Sequence, residues 1–249
     1  MRRRFFVERF DDNSASLTGD AAEHLGRVLR AETGQLYELS DGHRVFLARI
    51  EHVAVNKRTE PRIEFSLLDP IEAREQRVAL HLLLSIVKFD RFEWALEKAT
   101  ELGVAEIVPL AAARTDKPLL TAAHKRRGRW QKILRESSQQ SRRLRPPTLA
   151  EIIAPETAFA DSHAASKIFL SERPGAPGLR NALEGNNADL SSTPVSAALA
   201  IGPEGGWTDA EISAALSAGF AETSLGDTIL RTETAVIATL SALRYALEI

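Results

Sequence analysis

The sequence contains no cysteine among its 249 residues, so it can form neither a disulfide framework nor a thiolate metal site or nucleophile. Its six histidines are scattered, and none forms the His-x-x-x-His pair of a helical metal site. No apolar run approaches the ~20 residues of a membrane span, and the basic N-terminal stretch MRRRFFVERF lacks the apolar part of a signal peptide. We therefore expect a cytoplasmic protein that binds neither a metal nor a membrane.

Both common nucleotide-binding fingerprints are also missing. The chain has no G-x-G-x-x-G and no G-x-x-x-x-G-K-[ST], which disfavours an NAD-dependent or NTP-dependent enzyme. Apolar residues make up 44% of the chain and charged residues 27%. This composition is enough for real hydrophobic cores in one large domain or two small ones.

The first part of the chain has the pattern of a small β-barrel. Its strand candidates are short apolar or alternating runs separated by turns, at residues 5–7, 35–39, 45–50 and 62–68. Only residues 20–29 have a helical pattern, with Ala21, Leu25 and Val28 on one face. Asp69 and Pro70, followed by polar residues, predict a connection between domains.

After this connection the pattern changes to alternating strands and helices. Residues 78–87 predict a long apolar strand, residues 104–110 another, and between them Asp90 and Glu93 have the spacing of a helix cap. A strand, helix and strand in this order predict a parallel sheet with helices on its faces. Further elements are expected as a helix at 125–140, strands at 167–170 and 223–225, and a short helix near 179–183 inside a Pro- and Gly-rich excursion at 173–194.

The clearest motif is a strand, a glycine-rich turn and a helix start. Residues 195–201 are short and apolar, GPEGG follows at 202–206, and Thr208 and Glu211 have the spacing of a capping box. This arrangement builds ligand sites at the carboxyl ends of strands, although a tight turn without a ligand shares the pattern. Because Glu204 would repel phosphate, we expect a neutral or cationic ligand.

Charge is distributed unevenly along the chain. Eleven basic residues lie between Arg114 and Arg145, against only Asp116 and Glu136, whereas the chain after Glu151 is acidic. Such a block favours a polyanion partner, most simply nucleic acid, although a solvated helix face has the same pattern. The final helix, 232–247, carries one apolar stripe and one alanine stripe, which indicates cover on two sides by a dimer partner or by the monomer itself.

Six segments spread over the whole chain resemble one known group of proteins. They are HLGRVLR at 24–30, EKATELGV at 97–104, RWQKI at 129–133, SQQSRR at 138–143, IGPEGG at 201–206 and LGDTILRTETA at 225–235. The two glycine-containing loops resemble those of the knotted SPOUT methyltransferases. The whole chain is similar to the family of bacterial enzymes that methylate N3 of a uridine in 16S ribosomal RNA.

This resemblance implies an α/β fold in two domains. Residues 1–72 would form a PUA-like RNA-binding small β-barrel, and residues 73–249 a parallel-sheet SPOUT domain with a trefoil knot, its knot and cofactor loops lying within about 168–249. It also implies S-adenosyl-L-methionine as the cofactor and a homodimer as the assembly. The substrate would be 16S rRNA or the assembled small ribosomal subunit.

The resemblance also implies the residues that contact the cofactor and the RNA. The cofactor would be held by Leu170, Ser171, Glu172, Ile201, Gly202, Pro203, Glu204, Gly205, Gly206, Leu225, Gly226, Ile229, Leu230, Arg231, Thr232, Thr234 and Ala235. For the RNA we expect the arginines of the barrel and of the basic block, namely Arg3, Arg27, Arg30, Arg114, Arg142 and Arg143.

For catalysis, uridine N3 must lose a proton, and the ring oxygens then carry developing negative charge. Arg231 is the candidate for stabilising that charge, with a phosphate or cofactor-loop contact as the alternative. Glu204 and water are both candidates for the general base. Thr232 and Thr234 could instead cap the last helix. Two other functions stay open: methylation of another RNA position, such as a ribose 2′-OH, and RNA binding without catalysis.

Overall fold

The computed structural model describes residues 3–55, 60–73, 78–185 and 195–247. The chain divides into two compact units. The first consists of Met1–Glu75 together with Ser138–Arg145, and the second of Gln76–Ser137 and Pro146–Ile249. The short segment 138–145 therefore belongs to the first unit although it lies far from it in sequence.

The first unit is built on a curled, mixed five-stranded sheet. Its strands are β1 (Arg4–Phe6), β2 (Ser14–Thr18), β3 (Leu36–Ser40), β4 (Val45–Ala54) and β5 (Arg62–Ile71). Their order is β1-β3-β4-β5-β2, with β1 and β3 parallel and the other neighbours antiparallel. Alternate residues along each strand point into the hydrophobic core of this unit, which contains Phe5, Leu17, Leu39, Ile50 and Phe65.

Two expectations for this unit are wrong in detail. Asp69 and Pro70 continue β5, where Pro70 lies opposite Phe46 next to an irregularity in the register, and the two units divide later, between Glu75 and Gln76. Bulges of this kind accommodate a proline, which cannot donate a ladder hydrogen bond. The expected helix is α1 (Gly19–Glu23) followed by a π-helix at His24–Val28, and Val28 is 65% exposed rather than buried.

A buried ion pair ties the segment 138–145 into the first unit. The Arg4 guanidinium donates to the Glu38 carboxylate at 2.9 Å and to the backbone carbonyl of Arg142 at 2.7 Å. Nearby, the Ser40 hydroxyl donates to the Leu144 carbonyl at 2.6 Å. Two buried charges are tolerated here because each is paired and further hydrogen-bonded.

The second unit is a six-stranded, fully parallel sheet with helices on both faces. Its strands are β6 (Val78–Ser85), β7 (Glu106–Leu110), β8 (Thr148–Leu149), β9 (Ser166–Leu170), β10 (Val195–Ile201) and β11 (Ala221–Thr223). Their order is β11-β9-β10-β6-β7-β8. The parallel sheet predicted from the sequence is thus confirmed.

Two hydrophobic clusters cover the two faces of this sheet. On one side α2 (Phe89–Glu101), α3 (Lys117–Gln140) and α7 (Thr232–Ala246) pack on β6, β9 and β10, with Trp130 fully buried among them. On the other side lie α4 (Pro155–Ala160) and α6 (Asp209–Ser217), with Phe159, Phe169 and Trp207 at the centre. A short α5 (Leu179–Gly185) follows β9, and residues 186–194 of the expected excursion lie outside the described residues.

Of the two helix caps that the sequence predicts for α2 and α6, the structure contains one. At α6 the Thr208 side chain accepts the Glu211 N–H and the Glu211 carboxylate accepts the Thr208 N–H, so the capping box is present. At α2 the helix begins at Phe89, and Asp90 is not its cap. Glu93, expected to complete that cap, instead accepts hydrogen bonds from Arg126 and Arg129 of α3. Within the described residues no helix is long and apolar enough to cross a membrane.

Candidate functional site

Three loops meet where adjacent strands of the parallel sheet end. The strands β11, β9 and β10 are neighbours in the sheet. The carboxyl end of β9 leads into residues 171–178, that of β10 into 202–208 and that of β11 into 224–231. These loops line a cleft of about 920 Å³. Because the carboxyl ends of parallel strands share one edge of the sheet, loops distant in sequence converge on one site.

The cleft brings together most of the residues that the sequence singled out. Of the expected cofactor contacts it is lined by Leu170, Ser171, Glu172, Ile201, Gly202, Pro203, Glu204, Gly205, Gly206, Leu225, Gly226, Ile229, Leu230, Arg231, Thr232 and Ala235. Thr234 is not among the lining residues, and its position in the first turn of α7 is exposed. Arg114, expected to contact RNA, also lines the cleft.

The glycine turn is held in place by two arginines from outside it. Gly206 adopts a φ of +70°, which favours glycine, and its N–H donates to the Pro203 carbonyl at 2.9 Å. The Arg114 guanidinium donates to the Gly205 carbonyl at 3.1 Å. Arg91, from the first turn of α2, forms an ion pair with the Glu204 carboxylate. The carboxylate in the turn is therefore already engaged by a cation.

The indole of Trp207 supports both the turn and the end of β9. Its Nε1–H donates to the Leu170 carbonyl at 2.9 Å, and the ring stacks on Phe169 with centroids 4.9 Å apart. A Cβ added to Gly202 would lie 2.9 Å from the indole, which explains why this turn begins with glycine. Since Leu170 and Gly202 both line the cleft, Trp207 fixes two of its walls relative to each other.

The loop 224–231 is fixed at its start and offers free backbone groups beyond it. The Ser224 N–H donates to the Pro177 carbonyl at 2.7 Å, and the Ser224 carbonyl accepts from Leu179 at 2.9 Å. Gly226 then adopts a φ of +117°. Within the described residues the N–H groups of 227–231 donate to no other protein group, so they are available to a ligand.

Arg231 lies where this loop joins α7. It occupies the position before the first turn of the helix, its carbonyl accepts the Ala235 N–H at 2.9 Å, and its side chain is exposed to the cleft. In the part of the chain that is described, its guanidinium has no partner. It is therefore the arginine of the cleft that is free to act on a bound group.

Several lining residues were missed in the sequence. The cleft also includes Arg91, Arg173, Pro174, Gly175, Ala176, Trp207, Ile212 and Ser224. Trp207 could have been found because it directly follows the glycine turn. Arg91 gives no such signal, since only the packing of the fold brings the start of α2 to the end of β10. Among the described residues, no group of three or more His, Asp and Glu side chains could hold a metal.

The other expected RNA-contacting arginines lie in the first unit. Arg3, Arg27 and Arg30 belong to its N-terminal part, and Arg142 and Arg143 to its segment 138–145. In the second unit much of the basic block is engaged by the protein itself. Arg126 and Arg129 pair with Glu93, and Arg127 donates to the carbonyls of Leu149 and Ala150.

Comparison with known proteins defines the class of this chain. Residues 74–244 match the RNA methyltransferase domain family. That range contains the whole parallel sheet and all three loops of the cleft. The chain therefore belongs to the RNA methyltransferase family.

Relatives that match nearly the whole chain narrow this class further. The ribosomal RNA small subunit methyltransferase E of Bacillus subtilis is 30% identical, with 99% of this chain and 98% of the relative covered. That of Mesomycoplasma hyopneumoniae is 35% identical, with 94% and 95% covered. The crystal structure of the Neisseria gonorrhoeae enzyme of this name bound to S-adenosyl methionine has a TM-score of 0.82 at 28% identity, covering 98% of each chain. A Legionella pneumophila methyltransferase in complex with the same cofactor has a TM-score of 0.84 at 30% identity, covering 99% and 98%.

Proposed function

We propose that this protein transfers a methyl group from S-adenosyl-L-methionine to N3 of a uridine in the 16S ribosomal RNA of the small subunit. The observation that carries the proposal is the cleft at the carboxyl ends of β9, β10 and β11, lined by the glycine turn and by the loop 224–231. The names of the full-length relatives support RNA of the small subunit as the substrate. An enzyme with this substrate is expected to act in the cytoplasm, where ribosomal subunits are assembled.

The residues of the cleft fit this cofactor. The free N–H groups of 227–231 suit the edge of an adenine ring, and Leu170, Ile201 and Leu225 supply apolar walls. Glu172 and Asp227 place carboxylates in the cleft, where they would attract the positive sulfonium of the cofactor. When bound, S-adenosylmethionine supplies an activated methyl group on a sulfonium.

The protein's own part in the reaction is to position the base and to stabilise charge. Orienting the uracil in line with the donor replaces a bimolecular encounter by a local one. Arg231, whose guanidinium is free in the described structure, would donate to the ring oxygens as N3 loses its proton. Because Glu204 is paired with Arg91, we assign proton removal to water in the cleft and keep Glu204 as the second candidate.

The decisive variant is Arg231→Ala. It should lower single-turnover methyl transfer by about 10²–10³, the scale of a lost charge-stabilising donor, while cofactor binding by calorimetry changes less. Arg231→Lys should restore only part of the rate because an ammonium cannot present the planar fork of a guanidinium. Near-normal transfer in Arg231→Ala would instead assign it a structural role.

The modified atom is identified by a separate measurement. Mass mapping of 16S rRNA from a strain without this protein should reveal one missing methyl group, on N3 of a uridine. A missing ribose 2′-O-methyl group would assign the chain to another RNA position, and an unchanged RNA would favour binding without catalysis.

The finer features of the fold belong to the same proposal. We assign residues 1–72 to a PUA-like RNA-binding barrel and residues 73–249 to a SPOUT domain whose knot lies within about 168–249. Arg3, Arg27, Arg30, Arg114, Arg142 and Arg143 are the proposed RNA contacts. Arg142 would contribute beside its pairing with Glu38, 3.7 Å away.

We also propose that the enzyme is a homodimer. The core-facing stripe of α7 is buried at Val236, Leu240 and Leu243, whereas Tyr245 of the same helix is 89% exposed. Trp94, on the neighbouring α2, is 43% exposed. Uncovered aromatic side chains of this size are typical of interfaces. Sedimentation should give a dimer, and Tyr245→Glu with Trp94→Glu should shift it to a monomer.

A further inference from the structure

The segment 24–31 ends a helix in a way that costs stability. The N–H of Leu29 donates to the His24 carbonyl at 3.0 Å, and the N–H of Ala31 donates to the Leu25 carbonyl at 3.1 Å, which forces the residue between them to reverse the chain. That residue is Arg30, with a φ of +52°. Glycine is the favoured residue at such a position, because a longer side chain such as that of arginine is strained there by about 1–2 kcal/mol.

The same turn exposes two aliphatic side chains. Val28 is 65% exposed and Leu29 36% exposed. Polar side chains are the more common residues at such exposed positions. The turn is also held firmly, because Gly26 packs so closely on Val55 that an added Cβ would lie 2.7 Å from its Cγ2. The exposed pair is therefore presented by a rigid support rather than by a loose loop.

The charges beside this pair are positive. Arg27 lies before the pair and Arg30 after it, so the exposed run reads Arg-Val-Leu-Arg. Arg27 is paired with Glu23, whereas Arg30 has no partner among the described residues. An apolar tip with a free guanidinium beside it matches an unpaired nucleotide, whose base offers an apolar face and whose phosphate is an anion. In duplex RNA the bases are stacked away from such a tip.

We infer that Val28 and Leu29 contact the faces of unpaired bases of the RNA while Arg30 binds an adjacent phosphate. This inference rests on the proposed function, which supplies RNA as the ligand. We call residues 27–30 the apolar-basic tip.

The aliphatic residues and the arginine of the tip should affect RNA binding in different ways. The double variant Val28→Ser with Leu29→Ser should weaken binding to 16S rRNA about tenfold, because partial burial of two aliphatic side chains is lost. It removes no charge, so the slope of log K against log salt should stay unchanged. Arg30→Gly should reduce that slope by about 0.7, the value for one contact to a single-stranded phosphate. Its melting temperature should not fall below that of the wild type, because glycine relieves the strain.

The measurement is filter binding of the full-length protein to 16S rRNA at several salt concentrations. The matched control is Leu68→Ser, which changes another exposed leucine of the same unit and should leave binding unchanged. Unlabelled single-stranded oligouridylate should compete better than a duplex RNA of equal length, and this advantage should shrink in the Val28→Ser, Leu29→Ser variant.

Binding of the double variant within twofold of the wild type would overturn the inference, as would equal competition by duplex RNA. A changed oligomeric state with unchanged RNA binding would assign the tip to a protein contact and overturn it as well. Failure of the proposed function is distinguishable, because it would appear as a wild-type protein that binds 16S rRNA but transfers no methyl group.

Discussion

Gly202→Ala tests whether Trp207 fixes the walls of the cleft. The added Cβ would lie 2.9 Å from Cε2 and Nε1 of the indole, and the ring has Phe169 stacked against it. Relieving the clash must move the ring, which costs about 1–3 kcal/mol for overpacking. If the Nε1–H then leaves the Leu170 carbonyl, two buried polar groups lose their partner, at about 1–3 kcal/mol more. We therefore expect the free energy of unfolding to fall by about 1–3 kcal/mol if the hydrogen bond survives and by about 2–6 kcal/mol if it is lost.

The same change should weaken cofactor binding, because Gly202 and Leu170 both line the cleft. Denaturant unfolding measures the first effect, and calorimetric titration with S-adenosylhomocysteine measures the second. Gly128→Ala is the matched control. Gly128 lies within α3, nothing lies within 4 Å of an added Cβ, and alanine should stabilise the helix by about 0.5–1 kcal/mol. Wild-type stability and affinity in Gly202→Ala would refute the role of Trp207.

Three further outcomes follow from individual contacts. Arg91→Ala and Glu204→Gln should each weaken cofactor binding about two- to fivefold, because each breaks the same partly exposed ion pair. The double variant should therefore weaken binding no more than either single variant. Loss of methyl transfer in Glu204→Gln alone would identify Glu204 as a general base. In denaturant unfolding, Glu211→Ala should lower the free energy of unfolding by about 2–3 kcal/mol and Thr208→Ala by about 1 kcal/mol. The loss is larger for Glu211 because its buried carboxylate also accepts the Ala113 N–H. Equal losses in the two variants would contradict this. For Asp41, burial raises the pKa, but hydrogen bonds from the N–H groups of Arg44 and His43 outweigh burial and hold the pKa below its ordinary value. Asp41→Asn should therefore be less stable than the wild type at neutral pH, and the difference should shrink as the pH falls below about 3.9 and through the lower folded pKa. A difference that stays constant as the solution is acidified would contradict this.

The elements of the second unit that the sequence predicts correctly are specified by residues close together in the chain. The capping box at Thr208 and Glu211, the glycine turn before it and the apolar strand 195–201 are each specified by neighbouring residues, so the sequence alone was sufficient. The carboxyl end of the strand then placed the glycine turn at the edge of the sheet where the cleft lies. Arg91 could not be predicted in this way, because its contact with Glu204 joins residues 113 positions apart.

The failures in the first unit have a different cause. Helical periodicity placed Val28 with the buried Leu25, but the helix changes to a π-helix at His24 and rotates the later residues out of register. Asp69 and Pro70 have the composition of a linker, but pairing with β4 keeps them in a strand. In both places long-range packing overrides a local preference, which a single sequence does not reveal.

The separation of Ser138–Arg145 from the rest of the first unit has a consequence for synthesis on the ribosome. Arg4 and Ser40 emerge early, but the carbonyls of Arg142 and Leu144 that accept their hydrogen bonds do not yet exist when Glu75 is made. At about 5–20 residues per second, the nascent sheet waits several seconds for these partners. During that interval the charge of Arg4 lacks one of its acceptors and the N-terminal unit is incomplete. A truncated chain that stops at the end of β5 should therefore be less stable than the same unit in the full protein.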